Sequence, residues 1–161
     1  MDKEKKNEVK RKDTNAVEEE KKQYIICRIG DEQYGLDISY VDNIVRMQKI
    51  TRVPKVQYYY IGIINLRGEV VPVMSVRRKM GLGEDEITNK SRIVILKMED
   101  VGYVGILVDE VREVIALGES EINRNTKSKK QDNMFINGIG IHGDDLVSIF
   151  DISTIIDNPK A

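Results

Sequence analysis

Catalysis requires a nucleophile or a base held by an orienting group, and this chain offers one histidine and one cysteine. His142 lies in the glycine-flanked run Gly140-Ile-His-Gly143. It reads as a hairpin-turn residue and as the counterpart of Arg67 in an internal repeat. Cys27 alternates with Ile25 and Ile29 at period two, the spacing of one strand face, so it reads as a small buried hydrophobe. Asp109 and Asp151 each follow a strand-like run and precede a short apolar helical pattern, the position of an N-cap. No phosphate-binding glycine loop, zinc spacing or dinucleotide fingerprint is present. A lone cysteine excludes an internal disulfide and any cysteine-rich metal site. These residues predict no catalytic centre, no metal and no cofactor.

The remaining residue placed for chemistry is Arg67, within the stretch from Tyr60 to Arg78. An apolar run ends at Asn65, Arg67-Gly68 turns the chain, and a second apolar run begins at Val70, which predicts a hairpin. Gly68 suits a backbone angle that a side chain would resist. Pro72 cannot donate to a ladder, which places it on an edge strand or at a bulge. A long cation at the tip of an apolar hairpin has three readings: a solvated turn residue, a clamp to Asp37 or Asp42, or a contact offered to a partner.

The elements that must position it come from the rest of the chain. Hydrophobic residues make up 40% of the chain and charged ones 33%, with a net charge of -1, so no overall field draws it to nucleic acid or anionic lipid. Residues 1–22 hold 15 charged side chains, seven acidic and eight basic, and read as a disordered tail. No long apolar run or signal peptide is visible, which points to the cytosol. Order is expected from Gln23, with a strand through Ile29 and another from Gln33 to Asp37. A helical turn follows over Ser39 to Ile44, capped by Ser39, and then a strand from Val45 to Val53. After the hairpin, Ser75 is placed to cap a short helix ending at Gly81. Residues 83–90 read as a polar loop, and 123–133 as a long mobile one.

The second half repeats the first. Gly35 and the apolar residues after it return at Gly105 with like offsets, and Met74-Ser75-Val76 returns as Phe150-Asp151-Ile152, at separations of 70 to 76 residues. Each copy offers about five short strands with a helical turn, a set that tends to close into a small barrel. The expected division is residues 23–85 and 86–157, with a partner groove between the copies. Tyr58-Tyr59-Tyr60 offers stacking faces and Arg77-Arg78-Lys79 and Lys127–Lys130 are basic patches, but balanced charge argues against nucleic acid.

Residues 23–157 resemble the CheW family, the coupling proteins of bacterial chemotaxis. The most specific segment is Gly62-Ile-Ile-Asn-Leu-Arg-Gly68 followed by Val70-Val-Pro-Val73. Tyr34-Gly-Leu-Asp37, Val53-Pro54, Gly105-Ile-Leu-Val-Asp109 and Phe135-Ile-Asn-Gly138 support it. The resemblance implies an all-β fold of two tandem five-stranded SH3-like β-barrels packed side by side. It implies a non-enzymatic cytoplasmic adaptor, monomeric alone, without cofactor or membrane insertion. Its implied partners are the regulatory domain of the histidine kinase CheA and the cytoplasmic tips of methyl-accepting chemotaxis receptors. Val41, Gly62, Asn65, Arg67 and Gly105 match motif positions associated with the groove that receives the receptor tip, while kinase-contact residues stay unassigned. Two departures stand out: Asn43 replaces a usual Glu able to pair with the hairpin Arg, and Ser75 replaces a frequent Asp. The alternatives are a scaffold of a non-flagellar chemosensory pathway and a nucleic-acid-binding β-barrel protein.

Overall fold

The computed structural model describes residues 19–125 and 134–157. Residues 1–18 of the expected tail and 126–133 of the expected loop lie outside them. The strands are β1 (Lys21–Ile29), β2 (Glu32–Asp37), β3 (Val41–Arg46), β4 (Tyr60–Leu66), β5 (Glu69–Ser75), β6 (Arg92–Met98), β7 (Gly102–Val108), β8 (Glu110–Gly118), β9 (Ile122–Asn123), β10 (Ile136–His142) and β11 (Asp145–Phe150). Two short helices, α1 (Val76–Met80) and α2 (Ile152–Ile155), follow β5 and β11.

The strands form a five-stranded sheet ordered β3-β6-β7-β5-β4 and a six-stranded sheet ordered β8-β1-β2-β11-β10-β9. The fold is all-β, as expected, and the repeat is plain in it. Hairpin β1-β2 matches β6-β7, β3 matches β8, β4-β5 matches β10-β11, and α1 matches α2. Each hairpin pairs in parallel with a strand of the other copy, β5 with β7 and β11 with β2. The copies have exchanged their leading hairpins, so the division expected at residues 85 and 86 separates repeats and not sheets. Gly35 and Gly105 mark the exchange points, opposite Ile149 and Val73. A Cβ on Gly105 would stand 2.7 Å from Ile93 Cγ2, and one on Gly35 2.9 Å from Ile149 Cδ1, so isoleucine side chains fill the space that a side chain at either position would need.

Three apolar clusters hold the sheets. A shared core takes Ile25, Cys27, Ile29 and Leu36 from one sheet and Met74, Val94, Leu96 and Ile106 from the other, with Val76, Ile152 and Ile155 from the helices. Tyr34 and Phe150 stack within it, centroids 4.7 Å apart. A satellite core within the six-stranded sheet holds Tyr24, Ile26, Ile115 and Leu117, and another within the five-stranded sheet holds Ile64, Val71, Ile93 and Ile95. Strands such as β1 and β6 therefore bury both faces, which is why they read as continuous apolar runs. Cys27 is fully buried, and that burial pushes its thiol up to about 12.

Several local expectations need correction. β1 begins at Lys21, two residues before Gln23, because Lys21 and Lys22 pair with Gly118 and Leu117. The turn after β2 is a 3-10 helix over Ile38–Tyr40 capped by Asp37, whose Oδ1 accepts from the Ser39 amide at 3.0 Å, and not by Ser39. The strand expected over 45–53 ends at Arg46; beyond it only Thr51 pairs, through two backbone bonds to Ile63. Pro72 lies neither on an edge strand nor at a bulge. β5 is flanked on both sides, but Ile63, opposite Pro72, spends its backbone groups on Thr51, and pairing with β7 starts at Val73, so no donor is missed. Asp109 caps no helix, since β8 follows it directly. Ser75 and Asp151 do cap α1 and α2, and Gly81 ends α1 in the left-handed conformation.

Candidate partner-binding site

The β4-β5 hairpin closes with a two-residue turn, Arg67 at φ 50 and Gly68 at φ 84. Positive φ at both central positions matches the twist of the flanking strands, and it favours glycine or asparagine. Asn65 supports the turn: its Oδ1 accepts from the Gly68 amide at 3.1 Å. In the second copy His142 pairs with Asp145 as Leu66 pairs with Glu69, so the residue matching Arg67 is Gly143, at φ 63. The expected equivalence of His142 with Arg67 is therefore off by one position. His142 sits at a strand end, its Nε2 3.2 Å from Glu113 Oε1, and both side chains are exposed.

Arg67 lines a surface pocket of about 230 Å³ with Asp42, Leu66, Glu69, Val71 and Tyr103. These residues come from β3, β4 and β5 of the first copy and β7 of the second, so the pocket lies within the five-stranded sheet, where the β5-β7 ladder joins the two copies. Asp42 and Leu66 lie on opposite edge strands, so the sheet curls until its edges approach. Among the described residues Arg67 makes no ion pair or hydrogen bond, and the clamp to Asp37 or Asp42 is not formed; Asp37 is occupied with Ser39. Among the described residues the Asn43 side chain binds the adjacent Ile44 amide, at 2.8 Å, and no other group.

The five motif residues do not gather at one spot. Arg67 and Asn65 form the exposed tip. Val41 opens β3 opposite Leu96, half-buried against the shared core and next to the pocket residue Asp42. Gly62 sits beside a register shift in β4 at φ 151, where a Cβ would stand 2.3 Å from the Thr51 carbonyl oxygen. Its role is to let the 47–57 segment lie against β4. Gly105 leaves room for the Ile93 side chain. Glu69 and Tyr103 were missed as pocket residues. The signal for Tyr103 is the parallel β5-β7 register, which a single sequence does not display.

Buried charge ties the two sheets behind this tip. Asp109, 6% exposed, accepts from the Gly30 amide at 2.9 Å and pairs with Arg77 and with Arg28. Gly30 and Arg28 belong to the β1-β2 hairpin and Arg77 to α1, so one carboxylate joins both sheets. Its hydrogen bond holds the Arg77 guanidinium above its ordinary range. On the other side of α1, Lys79 Nζ stands 3.0 Å from Asp157 Oδ2 and 4.3 Å from the centre of the Tyr59 ring. Asp157 also accepts from the Tyr59 and Tyr60 hydroxyls, and burial, reinforced by that carboxylate, pushes both hydroxyls up. None of these groups forms an arrangement of nucleophile, base and orienting group.

Known proteins bear on this geometry. The model of the CheW-like domain matches residues 23–160. Chemotaxis protein CheW of Bacillus subtilis is 36% identical over 138 residues, covering 85% of this chain and 88% of that protein. Its namesake in Helicobacter pylori is 33% identical over 138 residues, covering 86% and 83%. Among solved structures, the scaffolding protein TtCheW from Thermoanaerobacter tengcongensis superposes with a TM-score of 0.79 at 29% identity, covering 90% of this chain and 94% of that one. A matched model over most of the chain, relatives above 30% identity along nearly their full length, and a shared two-sheet fold agree: this chain belongs to the CheW-like domain family.

Proposed function

We propose that this chain is a non-enzymatic cytoplasmic scaffold of chemotaxis, coupling the cytoplasmic tips of chemoreceptors to the histidine kinase CheA. Family membership supports the scaffold role. The finer assignment, that Arg67 and its pocket receive the receptor, is carried by one observation. Arg67 occupies left-handed backbone, at φ 50, where a non-glycine residue costs about 1–2 kcal/mol. The equivalent turn of the second copy uses Gly143. A cation kept at a strained tip without an internal partner fits a residue selected for a contact outside the chain. Asp42, Glu69 and Tyr103 complete a pocket lined by one cation and two carboxylates, suited to a polar, hydrogen-bonding partner surface. Val41, Gly62, Asn65 and Gly105 act here by holding the strands and the turn in place.

The test is co-sedimentation of the purified protein with CheA and a receptor signalling fragment. The reading requires that kinase and receptor co-sediment only when this protein is added. A nucleic-acid-binding or catalytic role would leave that assembly unaffected, and such a result would end the coupling assignment.

A further inference from the structure

Between Asp42 and Glu69 the chain carries five cations and no carboxylate. Four of them, Arg46, Lys49, Arg52 and Lys55, recur at a spacing of three. The residue after each is apolar: Met47, Ile50, Val53 and Val56. The fold separates the two sets. All four cations are exposed and all four apolar residues are half-buried. Met47 and Ile50 pack on the satellite core of the five-stranded sheet, and Val56 packs on the shared core. Thr51, midway, exchanges backbone bonds of 2.9 and 2.8 Å with Ile63. The segment is a strap from the end of β3 to the outer edge of β4, pinned by its apolar residues and carrying its cations outward.

The last of the four cations, Lys55, lies in a turn with Pro54, at φ 62. Among the described residues none of the four makes an ion pair or side-chain hydrogen bond. Arg28, Arg77, Arg78, Lys79 and Arg124 are all paired with carboxylates. Arg46 even stands directly opposite Arg92 in the β3-β6 ladder, a like-charge pairing that disfavours the sheet. The strap ends at a pocket lined by Arg52, Lys55, Tyr58 and Arg78, in which Tyr58 is 64% exposed.

We propose that this strap is a docking strip for a carboxylate-rich protein segment, which lies along Arg46, Lys49, Arg52 and Lys55 and meets Tyr58 at its end. Charge complementarity names the partner's chemistry. The chain's net charge of -1 supplies no general attraction to lipid or nucleic acid, so binding must come from this local row. Such a row raises encounter rate and fixes register along the partner. None of the four cations lines the Arg67 pocket, although Lys49 shares a neighbouring pocket with Asn65 of the hairpin tip.

The experiment measures binding of fluorescein-labelled poly-L-glutamate to the full chain, to Lys49→Glu/Lys55→Glu, and to Lys22→Glu/Lys97→Glu, which makes the same change of net charge at exposed positions elsewhere. The strip variant is expected to lose about tenfold or more in affinity, ~1.4 kcal/mol, and the control less than about threefold. Should the strip variant unfold, Lys49→Gln/Lys55→Gln serves in its place, with the loss still exceeding the control's. Equal losses in strip and control variants, or no loss in the strip variant, would overturn the proposal. So would binding to phosphatidylglycerol vesicles or single-stranded DNA as tight as to poly-L-glutamate.

Discussion

Asp85 is held where its charge is costly. One carboxylate oxygen takes the Ser75 hydroxyl, and the other is buried with no hydrogen-bond partner among the described residues. Burial raises this carboxyl above its ordinary value of 3.8, against the opposing effect of the Ser75 hydrogen bond. The folded protein thus binds this proton more tightly than the unfolded chain does. The stabilisation from protonation is complete below about 3.8 and is lost as pH rises through the higher folded value. Asp85→Asn, which removes the charge, is expected to raise the melting temperature at pH 7 and to leave it nearly unchanged near pH 3. A loss of stability of equal size at both pH values would show that the carboxylate shape, and not its charge, matters there. Asp109 is the opposite case, because its charge meets two guanidinium groups and an amide. Sequence reading placed Asp109 at a cap because the strand before it and the apolar spacing after it mimic a helix start. Nothing local distinguishes a cap from a carboxylate whose partners lie 32 and 81 residues away.

The hairpin β4-β5 and the strap that follows β3 depend on one another through Gly62. Any side chain there would strike the Thr51 carbonyl and Ile50. Gly62→Ala is expected to destabilise the protein by about 1–3 kcal/mol, the cost of strain and displaced packing at such a site. Urea unfolding would check it; a change below about 0.5 kcal/mol, the level of ordinary surface substitutions, would mean the strap is not anchored at that point. The hairpin itself was legible, since Arg67-Gly68 between apolar runs is a local signal. The caps at Ser75, Gly81 and Asp151 were legible for the same reason. The strap was not. Val45 to Val53 is rich enough in β-branched residues to read as a strand, yet beyond Arg46 only Thr51 finds a partner, and which neighbour is available is decided by tertiary arrangement.

The sheets share the largest of the three apolar clusters, with residues from both copies and both helices. Each fully buried Ile, Leu or Val side chain in it is worth about 1.5–3 kcal/mol, so neither sheet can open without exposing much of the common core. Unfolding is expected as one transition with equal calorimetric and van't Hoff enthalpies. Two resolved transitions would mean the sheets are independent units. Duplication was visible in the sequence as matched glycines and caps, but the exchange of leading hairpins was not. Repeat offsets are the same whether a copy folds on itself or trades strands, and it is the ladders between copies, β5-β7, β11-β2, β3-β6 and β1-β8, that tell the two apart. The candidate site follows the same pattern. Its tip could be read from the motif, while the pocket around Arg67 is assembled by sheet curvature from four strands. If Arg67 is kept for coupling at the expense of the turn it occupies, Arg67→Gly separates the two. The measurement is receptor-fragment affinity, taken with melting temperature and CheA affinity. Glycine should relax the left-handed turn, so stability is expected to hold or rise by up to about 1 kcal/mol. Receptor affinity should fall about tenfold or more, ~1.4 kcal/mol, while CheA affinity stays unchanged. Unchanged receptor affinity, or a joint fall of melting temperature and both affinities, would mean that Arg67 is not a receptor contact.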